Sequence, residues 1–191
     1  MKEKSQEKKS GILKATLELI AEQGFHGTSV SQIADKANVN VGSLYYHFTN
    51  KDDILNALYL DCKKRITQYA FQCYSANNTV DKRLKILIRN IIRFFSENQQ
   101  ELSFIEQFEN SPYYSNIILT EEYANIMKPY LDMFAQLKTQ CLIKDLPTGI
   151  LQNLLSDSVV SLTKYCMNHA DALEESILSM AIEAIWDMVK K

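Results

Sequence analysis

The chain of 191 residues has a formal net charge of −2 and is 46% hydrophobic, which suffices for one domain of ordinary size or two small ones with a proper core. Five glycines and three prolines are too few for a turn-rich sheet protein and favour long helices. The amino terminus is too polar for a signal peptide, and the apolar runs are too short to span a membrane. We therefore expect an all-α protein of about nine helices.

The charge is distributed unevenly along the sequence. Residues 1–65 carry ten Lys or Arg and eight Asp or Glu, whereas residues 66–191 carry eleven and fifteen. The basic excess of the first segment is modest, so charge alone does not identify a protein that binds nucleic acid. It does indicate which end of the chain would face phosphate.

The first two helices are indicated by apolar periodicity and by their ends. Helix 1 is predicted over about 10–23, and the charged residues before it are expected to fray. Gly24 is suited to end this helix because glycine adopts a positive φ without strain. Ser29 and Gln32 have the spacing of a capping box, which places helix 2 at about 30–37.

A third, short helix is predicted over about 41–47, with Asn40 as its N-cap. Leu44 and Phe48 are one helical turn apart, so they must share the buried face. The remaining large or polar side chains of this segment then point elsewhere: Val41, Ser43, Tyr45, Tyr46 and His47. A surface helix that shows two tyrosines and a valine to water is unusual unless a partner docks there.

A fourth helix is predicted to follow at once. Asn50 is its N-cap, and an apolar stripe that ends at Cys73 carries it to about residue 74. It is long enough to connect the first three predicted helices to the rest of the chain.

Short helices joined by a tight turn form a helix-turn-helix unit. Here the sequence T-S-V-x-x-I-A-x-x-A-x-V-x-x-G-S-L-Y-Y-H-F-x-x-K, which starts at Thr28, closely resembles the amino-terminal DNA-binding domain of TetR-family transcriptional repressors. The close resemblance covers about residues 10–60, and beyond them it extends only to length and helix content. It implies a DNA-binding domain over residues 1–52 and an effector-binding and dimerisation domain over residues 53–191.

A recognition helix enters the major groove with its amino-terminal residues against the base edges. This geometry places Val41, Gly42 and Ser43 nearest the bases. Gly42 would let the helix backbone approach closely, while Val41 suits a thymine methyl and Ser43 suits a base or a phosphate. Asn40 is mainly a cap, with a phosphate contact as its second role.

The resemblance implies further contacts with DNA. Phosphate or backbone contacts are expected from five side chains: Ser29, Ser31, Tyr45, His47 and Lys51. Tyr46 is expected to reach a base or a sugar. Because one such unit makes few contacts, a twofold dimer on a palindromic operator is expected.

The rest of the chain predicts six further segments, of which the third is a loop or a short helix: 81–97, 98–110, 113–120, 121–143, 148–169 and 173–190. The last helix is apolar on two sides, so one face can cover the chain's own core and the other needs a partner. TetR-like regulators use their last two helices for a four-helix dimer interface. That use implies a homodimer with these interface residues: Leu155, Val159, Leu162, Ile177, Ala181, Ile185 and Met188.

The middle helices are rich in aromatic residues. Core packing explains any single one of them, but so many tyrosines, each of which needs a hydroxyl partner if buried, suit a cavity with apolar walls and a few polar points. TetR-like regulators hold an effector in such a cavity. We expect a small apolar or aromatic effector and these lining residues: Phe71, Phe95, Phe104, Phe108, Tyr130, Phe134 and Tyr165.

The sequence thus predicts a ligand-responsive DNA-binding transcriptional regulator of the bacterial cytoplasm, most simply a dimeric repressor that its effector releases from the operator. Two alternatives stay open. Nothing in the sequence encodes the direction of regulation, so a transcriptional activator of the same fold is one of them. The other is a helical interaction module without DNA binding, against which the exposed Tyr45, Tyr46 and His47 weigh.

An enzyme is not expected. Cys166 and His169 are three residues apart on one predicted helix, but no oxyanion loop, phosphate loop or metal motif accompanies them. The four cysteines form neither a C-x-x-C pair nor a Cys/His cluster at zinc spacing, so they predict free thiols in a reducing compartment. No cofactor and no metal are expected.

Overall fold

The structure, a computed structural model, describes residues 2–72, 75 and 77–191. Over these residues the chain forms ten α-helices, one 3-10 helix and no β-strand, so the predicted all-α class is confirmed. None of the helices in this described part combines the length and the apolar character that a membrane span requires. The helices are α1 (Lys2–Gly27), α2 (Val30–Lys36), α3 (Val41–His47), α4 (Lys51–Ala70), α5 (Val80–Glu97), α6 (Gln99–Glu109), α7 (Tyr114–Ile117), α8 (Glu121–Thr139), α9 (Thr148–Asn168) and α10 (Glu175–Val189), with the 3-10 helix Ala170–Leu173 before α10.

Helix α1 differs from its predicted bounds of 10–23. It begins at Lys2, so the expectation that the residues before 10 fray is wrong. These residues lack apolar periodicity, but Lys, Glu and Gln are good helix formers and extend the helix by their own propensity. At Gly24 the backbone leaves helical geometry with φ 72° and ψ 176°, as a glycine allows, and the helix then continues to Gly27.

The other bounds lie close to the predicted ones. Helix α2 ends one residue earlier than predicted, and α3 has the predicted bounds. Helix α4 ends at Ala70, and Cys73, the last residue of its predicted stripe, lies outside the described residues. Helix α8 ends at Thr139 and not at 143, because Cys141 takes a φ of 54° and the amide of Leu142 turns back to donate to the carbonyl of Leu137 at 3.0 Å.

The chain divides into two compact units. The first comprises the residues up to 63 together with 100–123, so it joins α1–α3 and the start of α4 to α7 and nearly all of α6. The ring of Phe104 lies 5.6 Å from that of Phe25, and Phe108 stacks on Tyr59 at 4.2 Å. These contacts bring residues 100–123 into the same core as the first helices. The division by compactness therefore differs from the domains at 1–52 and 53–191, which stay a prediction.

The second unit comprises residues 64–99 and 124–191. Its core is built from α5, α8, α9 and α10, and α5 lies against both α9 and α10. Three ion pairs also join α5 to α10: Lys85 to Glu183 at 2.7 Å, Arg89 to Glu175 at 3.1 Å and Arg93 to Glu175 at 2.8 Å. Because all of these side chains are partly exposed, each pair contributes at most about 1 kcal/mol, and apolar burial holds this unit together.

Replacing Gly24 with alanine lowers the free energy of unfolding by about 1–3 kcal/mol, because a Cβ is strained at this backbone conformation. The matched control is Gly11→Ala in the same helix, where an added Cβ meets nothing within 4 Å. That change raises the free energy of unfolding by about 0.5–1 kcal/mol. Urea unfolding followed by circular dichroism measures both, and a shift of the same sign in the two variants would contradict the backbone described at Gly24.

Candidate nucleic-acid interface

Three side-chain caps fix the helices that carry the predicted DNA contacts. The predicted capping box of α2 is present, since Gln32 N donates to Ser29 Oγ at 3.3 Å and Ser29 N donates to Gln32 Oε1 at 2.8 Å. Asn40 Oδ1 accepts from Ser43 N at 2.6 Å, and Asn50 Oδ1 accepts from Asp53 N at 2.8 Å. Each helix therefore starts at a residue that its own sequence determines.

The turn between α2 and α3 is also held by the main chain. Asn38 has a φ of 53°, a conformation that asparagine tolerates better than most residues. The amide of Val39 then donates to the carbonyl of Ala34 at 3.0 Å. This closure sets the direction in which α3 leaves α2.

The rotation of α3 about its axis is set by two buried residues. Leu44 is 0% exposed and Phe48 is 2% exposed, so both belong to the core as predicted. On the outer side Val41 is 38%, Tyr45 is 52% and Tyr46 is 82% exposed. Folding is normally driven by the burial of apolar side chains. The exposure of these three side chains therefore points to a surface that binds a partner.

Gly42 lies in the first turn of α3 and is exposed. The nearest atom to a Cβ added there is Asn40 Oδ1 at 3.5 Å, an ordinary van der Waals distance, and the φ of Gly42 lies outside the left-handed region. The fold itself therefore has room for an alanine at this position. A requirement for glycine there would come from something outside the chain.

The other predicted DNA contacts lie around this face. Ser29 and Ser31 are exposed at the start of α2. The Ser29 hydroxyl accepts from Gln32 N, which leaves its O–H free to donate to a phosphate. His47 is half-buried, with its ring edge-on to that of Tyr46 at 5.2 Å. The structure thus brings the predicted side chains of α2 and α3 to the two adjoining helix starts and the exposed side of α3.

Lys51 has a contact that the sequence did not predict. Its Nζ donates to the carbonyl oxygen of Phe25, which ties the start of α4 to the last turn of α1. An ammonium has three donors, so this bond leaves two for a phosphate. Lys51 is therefore a structural tie as well as a predicted backbone contact.

A buried polar cluster in the first unit was missed in the sequence, where Tyr59 is only one member of an apolar stripe. The Tyr59 phenol is fully buried and donates to Glu109 Oε1 at 2.7 Å, and Lys63 Nζ donates to the same oxygen at 3.2 Å. Burial raises the pKa of the Tyr59 phenol, and the negative charge of Glu109 raises it further. The signal that could have found it is that a tyrosine on a buried stripe needs a hydroxyl partner.

Three further tyrosines surround this cluster. The ring of Tyr123 stacks on that of Tyr59 at 6.3 Å, and the ring of Tyr114 lies edge-on to Tyr59 at 6.2 Å. Tyr113 stacks on Phe108 at 6.0 Å. Burial raises the pKa of the Tyr123 phenol and that of the Tyr113 phenol. The bonds of Tyr59 and Lys63 to Glu109, together with this ring packing, thus connect α4 to the segment 109–123.

The predicted effector-lining residues are divided between the two units. Phe104 and Phe108 are buried in the first unit, whereas Phe95 and Phe134 are buried in the second. The second unit also holds Phe71 and Tyr130, whose rings meet edge to face at 5.1 Å. Tyr165 is 55% exposed and stacks on His169 at 4.1 Å, so it is not buried with the others. The assignment of all seven stays a prediction.

The predicted dimer residues divide into two groups. Leu155, Val159 and Ile185 are buried in the core of their own unit and have little surface left for a partner. The exposed or half-buried members are Leu162, Ile177, Ala181 and Met188. Helices α9 and α10 expose further apolar side chains that the prediction did not include: Ile150, Leu154, Tyr165 and Met180.

Cys166 and His169 do not form a thiol–imidazole pair. The Cys166 thiol is buried and lies 3.9 Å from the carbonyl oxygen of Ala172, and burial raises its pKa. His169 is exposed, with Nδ1 3.0 Å from the carbonyl oxygen of Tyr165. Among the described residues no group of His, Cys, Asp and Glu is arranged to hold a metal ion.

Two family profiles match the chain. Residues 12–58 match the family described as bacterial regulatory proteins, tetR family. Residues 80–190 match the family described as tetracyclin repressor-like, C-terminal domain. Together they cover both the helix-turn-helix and the helices that follow it.

Individual relatives agree with these matches. The chain is 27% identical over 184 residues to a fatty acid metabolism regulator protein of Bacillus subtilis (strain 168). The aligned region covers 91% of this chain and 93% of that protein. A TetR family transcription regulator from Marinobacter aquaeolei VT8 has a similar structure, with a TM-score of 0.88 at 22% identity over the full length of both chains. The transcriptional regulator FadR from Bacillus subtilis, solved in complex with stearoyl-CoA, has a TM-score of 0.69 at 18% identity, over 94% of this chain and 96% of that one.

Replacing Tyr59 with phenylalanine lowers the free energy of unfolding at neutral pH by about 2 kcal/mol, because a buried hydrogen bond to a carboxylate is lost. The pKa of the phenol is higher in the folded state than in the unfolded state. The stabilisation that the phenol gives the wild type is therefore complete below about pH 10 and declines above it. The gap between wild type and variant should narrow by about 1.4 kcal/mol per pH unit above pH 10. Urea unfolding between pH 7 and 11 measures the gap, and a constant gap would contradict the described cluster.

Proposed function

This chain belongs to the TetR family of bacterial regulatory proteins, and on that basis we propose that it is a dimeric repressor that an apolar effector releases from a palindromic operator. The family consists of DNA-binding transcriptional regulators and not of enzymes, so the expectation that this protein is not an enzyme is confirmed. Repression, dimerisation and the effector are the proposed parts.

The observation that carries the proposal is the outer face of α3. A helix of seven residues exposes Val41, Tyr45 and Tyr46 while its Leu44 is fully buried. In the major groove the first turn of α3 would face base edges, and the phenols would reach phosphates and sugars at either side. The serines at the start of α2 would contact the backbone across the groove. Contacts of this kind fix the register of the protein on the duplex, and the first turn supplies the base readout.

A dimer would give this face enough contacts for specific binding. Two recognition helices related by a twofold axis reach successive major grooves when the distance between the two helices is about 34–36 Å or somewhat more. The exposed apolar residues of α9 and α10 support pairing through these helices, since Ile150 and Leu154 lie one turn apart and Ile177 and Met180 lie on α10. An isologous contact between two such helix pairs would bury both stripes.

Two observations support an effector with an apolar chain: the aromatic residues of the second unit, and the names of two similar proteins. Phe71 and Tyr130 are only partly buried beside a core that contains Phe95 and Phe134. One relative is a fatty acid metabolism regulator, and a structural neighbour was solved with stearoyl-CoA. We propose that the effector class is a long-chain acyl thioester, which combines an apolar chain with hydrogen-bonding groups.

Release of DNA would follow from a population shift. Residues 100–123 belong to the same compact unit as the helix-turn-helix. The bonds that Tyr59 and Lys63 donate to Glu109 connect this segment to α4. Helix α4 has residues in both units, so an effector in the second unit that shifts α4 would move this segment and, through Lys51, the end of α1.

Gly42→Ala tests the DNA-facing role of α3 without disturbing the fold. The free energy of unfolding should stay unchanged or rise by up to about 1 kcal/mol, because an added Cβ has room and alanine favours the helix. Binding to a duplex that the wild type has selected from a random-sequence pool should weaken by roughly 1–3 kcal/mol, the cost of one mismatched base pair. Fluorescence anisotropy measures the affinity.

The matched control is Gly149→Ala in the first turn of α9, where an added Cβ also meets nothing within 4 Å. It should leave the affinity for the duplex unchanged. Equal affinities for wild type and the Gly42 variant would contradict the placement of this turn against the bases.

Stearoyl-CoA tests the effector class. It should lower the affinity for the selected duplex by a factor of roughly 5–150, and the duplex should lower the affinity for stearoyl-CoA by the same factor. At a ligand concentration about a hundred times its Kd, the free energy of unfolding should rise by about 2.7 kcal/mol. Free coenzyme A is the control, because it lacks the apolar chain. Release of the duplex by coenzyme A alone, or by neither compound, would contradict the proposed acyl effector.

A further inference from the structure

The first turns of α1 are helical although nothing in their pattern would bury them. The sequence of residues 2–9 contains only polar residues, and a helix of such a sequence gains no stability from an apolar face. The same stretch contains four lysines and two glutamates, which gives it a net charge of +2. Its position in the fold shows what this charge could meet.

Lys9 lies against the carboxyl end of the recognition helix. Its Nζ is 5.6 Å from the ring centroid of Phe48, the C-cap of α3. The ring of Phe48 is in turn 6.4 Å from that of His47, a predicted phosphate contact. The basic end of α1 is therefore one aromatic ring away from the predicted DNA-facing surface.

Among the residues that the structure describes, no carboxylate pairs with Lys8 or Lys9. Lys8 is exposed and Lys9 is half-buried. Asp53, in the first turn of α4, is engaged elsewhere, since it accepts from the amide of Thr49 at 2.9 Å.

We propose that Lys8 and Lys9 extend the DNA-binding surface beyond the helix-turn-helix and hold backbone phosphates beside the carboxyl end of α3. The occupant is DNA because only the Phe48 ring separates Lys9 from His47, a predicted phosphate contact, and because two lysines are opposite in charge to a duplex. A lysine ammonium on its flexible stem acts as a point charge, which suits phosphates and carries no base preference. This inference rests on the proposed placement of α3 against DNA.

A purely structural role for Lys9 makes a different prediction. An ammonium over an aromatic ring stabilises an exposed site by about 0.5–1 kcal/mol, and this contact exists with or without DNA. If Lys9 only packed on Phe48, its loss would lower stability and leave the salt dependence of DNA binding unchanged. Lys8 would then have no effect on either.

The test is the salt dependence of binding to the wild-type-selected duplex and to a scrambled duplex of the same length. The variants are Lys8→Gln and Lys9→Gln, alone and together, in the full chain. Each phosphate contact contributes about 0.9 to the slope of log K against log salt, so each substitution should reduce the slope by about that amount per protomer. The affinity for both duplexes should fall by the same factor, because a phosphate contact is not sequence-specific.

Two controls separate position from charge. Lys8→Arg and Lys9→Arg keep the charge and should keep the wild-type slope. Lys14→Gln removes the same charge from an exposed position further along α1 and should leave the slope unchanged. A wild-type slope in the Lys8 and Lys9 glutamine variants, or an equal loss in Lys14→Gln, would overturn the inference and leave DNA binding by α3 intact. A wild type that selects no duplex at all would overturn the proposed function as well.

Discussion

The burial of Leu44 and Phe48 is the constraint on which the DNA-binding surface depends. Helix α3 has only seven residues, so these two side chains fix its rotation, and the other side of the helix must face outward. The caps at Ser29 and Asn40 fix where α2 and α3 begin, at about 1 kcal/mol each. The surface is therefore shaped before DNA arrives, and little ordering cost remains to be met on binding.

The parts of this surface that local sequence determines could be predicted. A cap needs only a side chain and the amides two or three residues further on, so the starts of α2, α3 and α4 follow from Ser29, Asn40 and Asn50. A one-turn spacing likewise predicts that Leu44 and Phe48 share a face. The outer face of α3 then follows by elimination, and the exposures of Tyr45 and Tyr46 agree with it.

Features that depend on distant residues could not be predicted in this way. The partner of Tyr59 lies fifty residues further along the chain, at Glu109, and no local pattern connects them. A helix with two apolar sides does not encode which side meets its own core, so Ile185 is buried where a dimer contact was expected. The polar residues at the start of α1 show no periodicity, and their helix rests on propensity and on the position of Lys9 over Phe48.

A hydroxyl-radical footprint on the wild-type-selected duplex tests the central claim most directly. A twofold dimer that presents α3 to successive major grooves should protect an inverted repeat, with half-site centres about 34–36 Å apart or somewhat more. Protection that has no inverted repeat, or no protection in low or moderate salt, would contradict a symmetric dimer that reads DNA through the exposed side of α3.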